Sequence, residues 1–249
     1  MSGHSKWSKV KHQKAVVDSK RGKLFTKLIR EITVAARMGG PDPDGNPRLR
    51  AALLAARASN LSNDTVLRAV NKGAGGNDGV DYESVLYEGY GPANTAVIVE
   101  ALTDNRNRTA SSIRSLFGKA GGNMGATNSV SYMFDHVGKI WIDKATIGED
   151  ALTEHILEGG ADDLAADGEA HVVTTTMEAF EPVKAYLERQ GIEIAEAALI
   201  WQPRARLTLK DREKAESVLN FLEALEDDDD VQKVFTNLDE AALAELAGA

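Results

Sequence analysis

The chain has 249 residues, 43% of them hydrophobic, enough for the cores of one large domain or two to three smaller ones. It contains no cysteine, which excludes a disulfide scaffold, a thiolate nucleophile and any Cys-ligated zinc or iron-sulfur site. The formal net charge of -9 is unevenly spread: residues 1–77 carry 15 Lys and Arg against 5 Asp and Glu, and the remainder carries 14 against 33.

A basic segment joined to an acidic body points to a polyanion as the partner of the basic part. Residues 1–22 read as a basic tail, in which Lys6, Lys9, Lys11, Lys14, Lys20 and Arg21 can neutralise successive phosphates. Trp7 and His12 offer rings for stacking on unpaired bases, although Trp7 is equally suited to anchor on a helical bundle, and both roles stay open. No apolar core of signal-peptide type follows the tail, and no apolar run approaches the roughly 20 residues that cross a bilayer. A soluble, cytoplasmic monomer is expected.

Residues 23–38 place Leu24, Phe25, Leu28, Ile29, Ile32 and Ala35 or Ala36 on one helical face, with Gly39-Gly40-Pro41 as the stop. Lys23, Lys27, Arg30 and Arg37 form a separate stripe of the same helix, extending the candidate nucleic-acid surface. Asn46 caps a second helix with Pro47 at its first position and Leu49, Leu53 and Ala56 inward. A third starts at Ser62 or Asn63, turns Val66, Leu67 and Val70 inward and ends at Gly73. Residues 23–78 are thus predicted to form a three-helix bundle, with Gly73–Gly79 as a flexible joint.

From Tyr82 the period changes to that of strands. SVLYEGY and TAVIVEAL, joined by Gly91-Pro92, precede a helix over 106–119, and SVSYMF is predicted as a returning strand. The next segments, KIWID, a helix over 149–157, strands near 162–166 and 171–175, a helix over 178–190 and IEIAEAALIW, give the order βαββαβ of a ferredoxin-like domain. A last helix over 211–225 and the strand VQKVFTN have no core of their own to join. The expectation is therefore an α+β protein of several domains. Residues 79–135 pair with 204–240 as one discontinuous α/β domain, residues 136–203 form the inserted ferredoxin-like domain, and 241–249 are a C-terminal tail.

Nothing in the pattern points to catalysis. The histidines at 4, 12, 136, 155 and 171 lack metal spacing, PDPDGN lacks the ligand register of a calcium loop, and no phosphate-binding loop or nucleophile elbow occurs. No catalytic residue, metal or cofactor is therefore expected. The acidic run Glu226–Asp230 reads as a polar loop that repels nucleic acid.

A candidate second anion or RNA contact is TDNRNRT, residues 103–109. Its Asp104, Asn105 or Asn107 can cap the following helix, but Arg106 and Arg108 are cations at the positive end of a helix dipole, disfavoured unless an anion is shared between them. Gly121 and Gly122 in GGNMGA can approach such an anion, or simply stop the helix.

These blocks, SGHSKW, KRGKLFTKLIREI, AARMGG, NPRLR, YEGYGP, TDNRNRT and GGNMG with SVSYMF, run in order from Ser2 to Phe134 and resemble the YebC/PmpR family. That family includes the mitochondrial translational activator of cytochrome oxidase subunit one. The resemblance implies a helical bundle and two α/β domains, the last inserted into the second. It implies one of two activities: DNA-binding transcriptional regulation, as bacterial members are commonly labelled, or translation, with ribosome-associated members that relieve stalling. The implied partner is accordingly ribosomal or transfer RNA, the ribosome, or promoter DNA. The tail and bundle favour RNA, because none of the three helices shows an obvious base-reading face.

Overall fold

A computed structural model describes residues 17–75, 82–239 and 242–243, the first five of them by backbone only. They divide into two compact units: the residues up to Val130 with those from Leu207 onward, and Ser131–Arg206.

Among the described residues, the first unit begins with the helices α1 (Val17–Gly39), α2 (Pro47–Ala58) and α3 (Asn63–Ala74). Helix α1 begins at Val17 rather than Lys23, so Lys20 and Arg21 lie on helical backbone. Ile32, Ala35, Ala36, Leu49, Ala52, Ala56, Leu61 and Ala69 form the bundle core. Asn46 joins two helices at once. Its Oδ1 accepts the Leu49 N–H at 3.0 Å to cap α2, while its Nδ2 donates to the Ala35 and Gly40 carbonyls at 2.7 and 2.8 Å at the end of α1. Ser62 caps α3.

Two expectations for α3 are corrected. Leu67 is 58% exposed, whereas Val66 and Val70 pack against the core as expected, beside the buried Ala69 and Gly73. Gly73 does not stop the helix, which continues to Ala74. A Cβ at this position would collide with the Thr33 carbonyl and come within 2.8 Å of Ala36 Cβ. The glycine is there because α3 crosses α1 at backbone contact distance.

The chain then forms β1 (Glu83–Tyr90), β2 (Ala96–Thr103), α4 (Arg106–Lys119) and the short β3 (Asn123–Met124). The predicted SVSYMF strand is absent from this sheet. Residues Ser131–Met133 are a 3-10 turn, and the Asn128 and Val130 N–H groups are both taken, at 2.9 Å, by the buried Glu88 carboxylate on β1. A side chain has satisfied the donors that a neighbouring strand would have used. The edge strand is β3 instead, bonded to β1 through Gly89 and Tyr90.

The second unit contains β4 (Phe134–Asp143), α5 (Glu149–Gly159), β5 (Asp163–Asp167), β6 (Ala170–Thr175), α6 (Met177–Arg189) and β7 (Glu196–Pro203). Its sheet order, β5-β6-β4-β7 with every pair antiparallel, is the ferredoxin-like arrangement that the βαββαβ pattern predicts. Ile140, Ile142, Leu152, Ile156, Val173, Val183 and Leu187 fill its core.

The chain returns to the first unit as α7 (Arg212–Glu226) and β8 (Val231–Thr236). Strand β8 pairs antiparallel with β2, from Val97 opposite Thr236 to Val99 opposite Val234, giving the order β3-β1-β2-β8. Helices α4 and α7 cover this sheet, with Phe117 and Phe221 meeting edge to face at 4.9 Å between ring centroids. The last helix and strand thus join the sheet begun at Glu83, and the fold class is α+β.

Candidate nucleic-acid interface

A polar cluster of the first unit forms where three segments meet: the Thr103–Thr109 turn, helix α1, and the acidic turn between α7 and β8. Its centre is Asp230, whose side chain is 8% exposed. One carboxylate oxygen receives Arg30 Nη1 at 2.8 Å. The other receives the Thr109 hydroxyl at 2.6 Å and Arg108 Nη2 at 3.0 Å. Burial alone pushes the Asp230 carboxyl up, but the Thr109 hydroxyl, Arg108 and Arg30 outweigh it and hold the group below the usual carboxylate value.

The local sequence accounts for this placement. Asn105 caps α4 by accepting the Arg108 N–H at 3.1 Å, and its own N–H goes to Thr103 Oγ1 at 2.9 Å. That fixes the first turn of α4 so that Thr109 faces inward and Arg108 reaches Asp230, with Asp104 as a second partner at 2.7 Å. The anion that Arg108 needs at a helix N-terminus is therefore supplied by the protein itself. Arg106 and Asn107 are exposed. Gly121 has φ +75° and, with Gly122, closes α4: the Gly122 N–H returns to the Phe117 carbonyl at 2.8 Å and the Gly121 N–H to Gly118 at 3.1 Å. These two glycines form a left-handed helix stop.

The basic stripe of α1 faces the same acidic turn. Lys23 Nζ lies 3.4 Å from Asp227, and Lys27 Nζ donates to the Glu226 carbonyl. Arg30 Nη1 also reaches the Asp229 and Leu102 carbonyls, at 2.8 and 2.9 Å, with its guanidinium 5.4 Å from the Tyr82 ring centroid. Burial lowers the Lys27 pKa, opposed by the charges of Glu226, Asp228, Asp227 and Asp229. Arg37, farther along the stripe, is half-buried. The run Glu226–Asp230, read above as a turn that repels nucleic acid, is instead met by cations from α1 and α4.

The tail residues Lys6, Trp7, Lys9, Lys11, His12 and Lys14 lie outside the described residues, and Lys20 and Arg21 are described by backbone alone. Sequence reasoning missed Asp230, Thr103 and Thr109 as parts of the cluster. The available signal was a pair of threonines flanking DNRNR and a carboxylate immediately before a strand.

Two family models cover nearly the whole described chain. The TACO1/YebC N-terminal domain matches residues 5–76, and the TACO1/YebC second and third domains match residues 82–238. The chain belongs to the TACO1/YebC family. A probable transcriptional regulatory protein of Desulforapulum autotrophicum is 51% identical over 239 residues, covering 96% of each chain. One from Treponema denticola, carrying the same description, is 49% identical over the same share. The crystal structure of a conserved hypothetical protein from Aquifex aeolicus superposes with a TM-score of 0.79 at 46% identity, covering 94% of this chain and 97% of that one. The description of these relatives as probable transcriptional regulatory proteins supports a role in the regulation of gene expression.

Proposed function

We propose that the protein is a non-enzymatic regulator that binds RNA at the ribosome and relieves stalled translation. The observation that carries this reading is the state of α1. Its cations Lys23, Lys27 and Arg30 are held by the 226–230 turn, so α1 does not present them as a helix inserted into a DNA major groove would. The cations left for a partner lie in the tail and on exposed surface, where they serve phosphate contacts better than base readout. Lys6, Lys9, Lys11 and Lys14 then reach structured RNA, with Trp7 and His12 as stacking rings.

A second reading, binding to promoter DNA, is favoured by the relatives' description as probable transcriptional regulatory proteins. Sedimentation with ribosomes at low salt, followed by crosslinking from the tail lysines, separates the two. Crosslinks on ribosomal or transfer RNA support translation. One enriched motif selected from random duplexes, with no ribosome association, supports transcription and overturns the proposal.

A further inference from the structure

Resting on that RNA-binding reading, we infer that the exposed face of α4 is a docking surface for the sugar-phosphate backbone of structured RNA. The charge pattern is the first observation. In a protein of formal net charge -9, the stretch from Asn105 to Phe134 contains no Asp or Glu, while α4 alone carries Arg106, Arg108, Arg114 and Lys119.

The arrangement of the helix is the second. Thr109, Ile113 and Phe117 are buried against the sheet, so the opposite side of α4 faces solvent. At 100° per residue, Ser111, Ser115 and Gly118 run down the centre of that side, with Arg114 along one edge and Lys119 along the other. Arg106, the first residue of the helix, is about 12 Å from Arg114 along the axis at 1.5 Å per residue; it lies on the azimuth of Thr109, Ile113 and Phe117 and so flanks the face at its N-terminal end instead of lying on it. All six positions are exposed.

The fate of the charges is the third. Arg108 has its anions in Asp230 and Asp104, but no ion pair is recorded for Arg106, Arg114 or Lys119 among the described residues. The dipole accounts for Lys119 in the last turn. It opposes Arg106 in the first and is indifferent to Arg114 in the middle. A low central line of hydroxyls between cationic edges admits a polynucleotide backbone. Serine hydroxyls both donate and accept, as 2′-hydroxyls and phosphates require. Such short side chains do not reach the floor of a DNA major groove about 8.5 Å deep. The surface therefore reads shape and charge, and leaves base identity unread.

The test is a triple variant, R106Q/R114Q/K119Q, in the full chain, titrated with purified ribosomes and separately with unfractionated transfer RNA across a potassium chloride series. The expected result is a decrease of about 2 in the slope of log affinity against log salt, since each lost phosphate contact removes roughly 0.7 to 0.9. Because the chain has no cysteine, Ser115→Cys also provides a single attachment point for an iron chelate. It should cleave bound RNA, while Glu213→Cys, on exposed α7, should cleave it far less. Wild-type binding with an unchanged slope in the triple variant, or cleavage no stronger from position 115 than from 213, overturns the docking surface alone. Failure of the wild-type protein to bind either RNA probe at low salt overturns the RNA reading and the surface with it.

Discussion

Arg106 and Arg108 stand two residues apart in one motif, yet they end in opposite environments. Arg108 joins Arg30, Thr109 and Asp230 in a network closed on itself, whereas Arg106 is exposed at the first turn of α4 with no ion pair among the described residues. The difference lies in what tertiary structure brings to each side chain. The α7–β8 turn carries a carboxylate to Arg108, and no such ion pair reaches Arg106 among the described residues. A cation at a helix N-terminus therefore signals an anion requirement, and only the fold decides whether the anion is internal. The same division runs through α1, where Lys23, Lys27 and Arg30 stand on the acidic turn.

The largest effect is expected at the internal side. Asp230→Ala leaves Arg30 without its buried partner and should cost about 3–5 kcal/mol, read from urea unfolding at neutral pH. Next is Thr109→Val, which keeps the shape but removes a hydroxyl bound to a charged group, at about 1.5–3 kcal/mol. Gly73→Ala should cost about 1–3 kcal/mol by forcing α3 away from the Thr33 carbonyl. Arg204→Gln, which breaks the exposed pair with Asp135 in the second unit, should change stability by less than about 1 kcal/mol.

Acidification addresses the same contrast without mutation. The folded Asp230 carboxyl lies below its unfolded value, so its stabilisation is complete above the unfolded range near about pH 4 and is lost as pH falls through the folded value. Unfolding midpoints between neutral and strongly acidic pH should therefore fall more steeply for the wild type than for Asp230→Asn. Equal slopes would show that the carboxylate carries no net linkage.

Most of the architecture was legible because it rests on local signals. The spacing of Ile32, Ala35 and Ala36, the Asn46-Pro47 cap and the alternation from Tyr82 onward each state an element in a few residues. The βαββαβ order carried the second sheet, and the absence of any other core carried β8 to β2. Signals that depend on a distant partner were misread. SVSYMF has strand composition, but Glu88 takes the N–H of Val130 within it and of Asn128 just before it. Leu67 fits the helical period yet lies on the exposed side, and Gly73 resembles a stop because its reason, the Thr33 backbone, is on another helix. The candidate site divided in the same way. The basic character of residues 103–109 was visible, but the commitment of Arg108 to Asp230 joins positions more than a hundred residues apart.

Crosslinking the protein to nucleic acid in cells, and sequencing what it holds, addresses the function itself. Ribosomal or transfer RNA should dominate the recovered sequences, and the yield should fall in the R106Q/R114Q/K119Q variant. Recovery of promoter DNA, with ribosomal and transfer RNA at background, would contradict the ribosomal role.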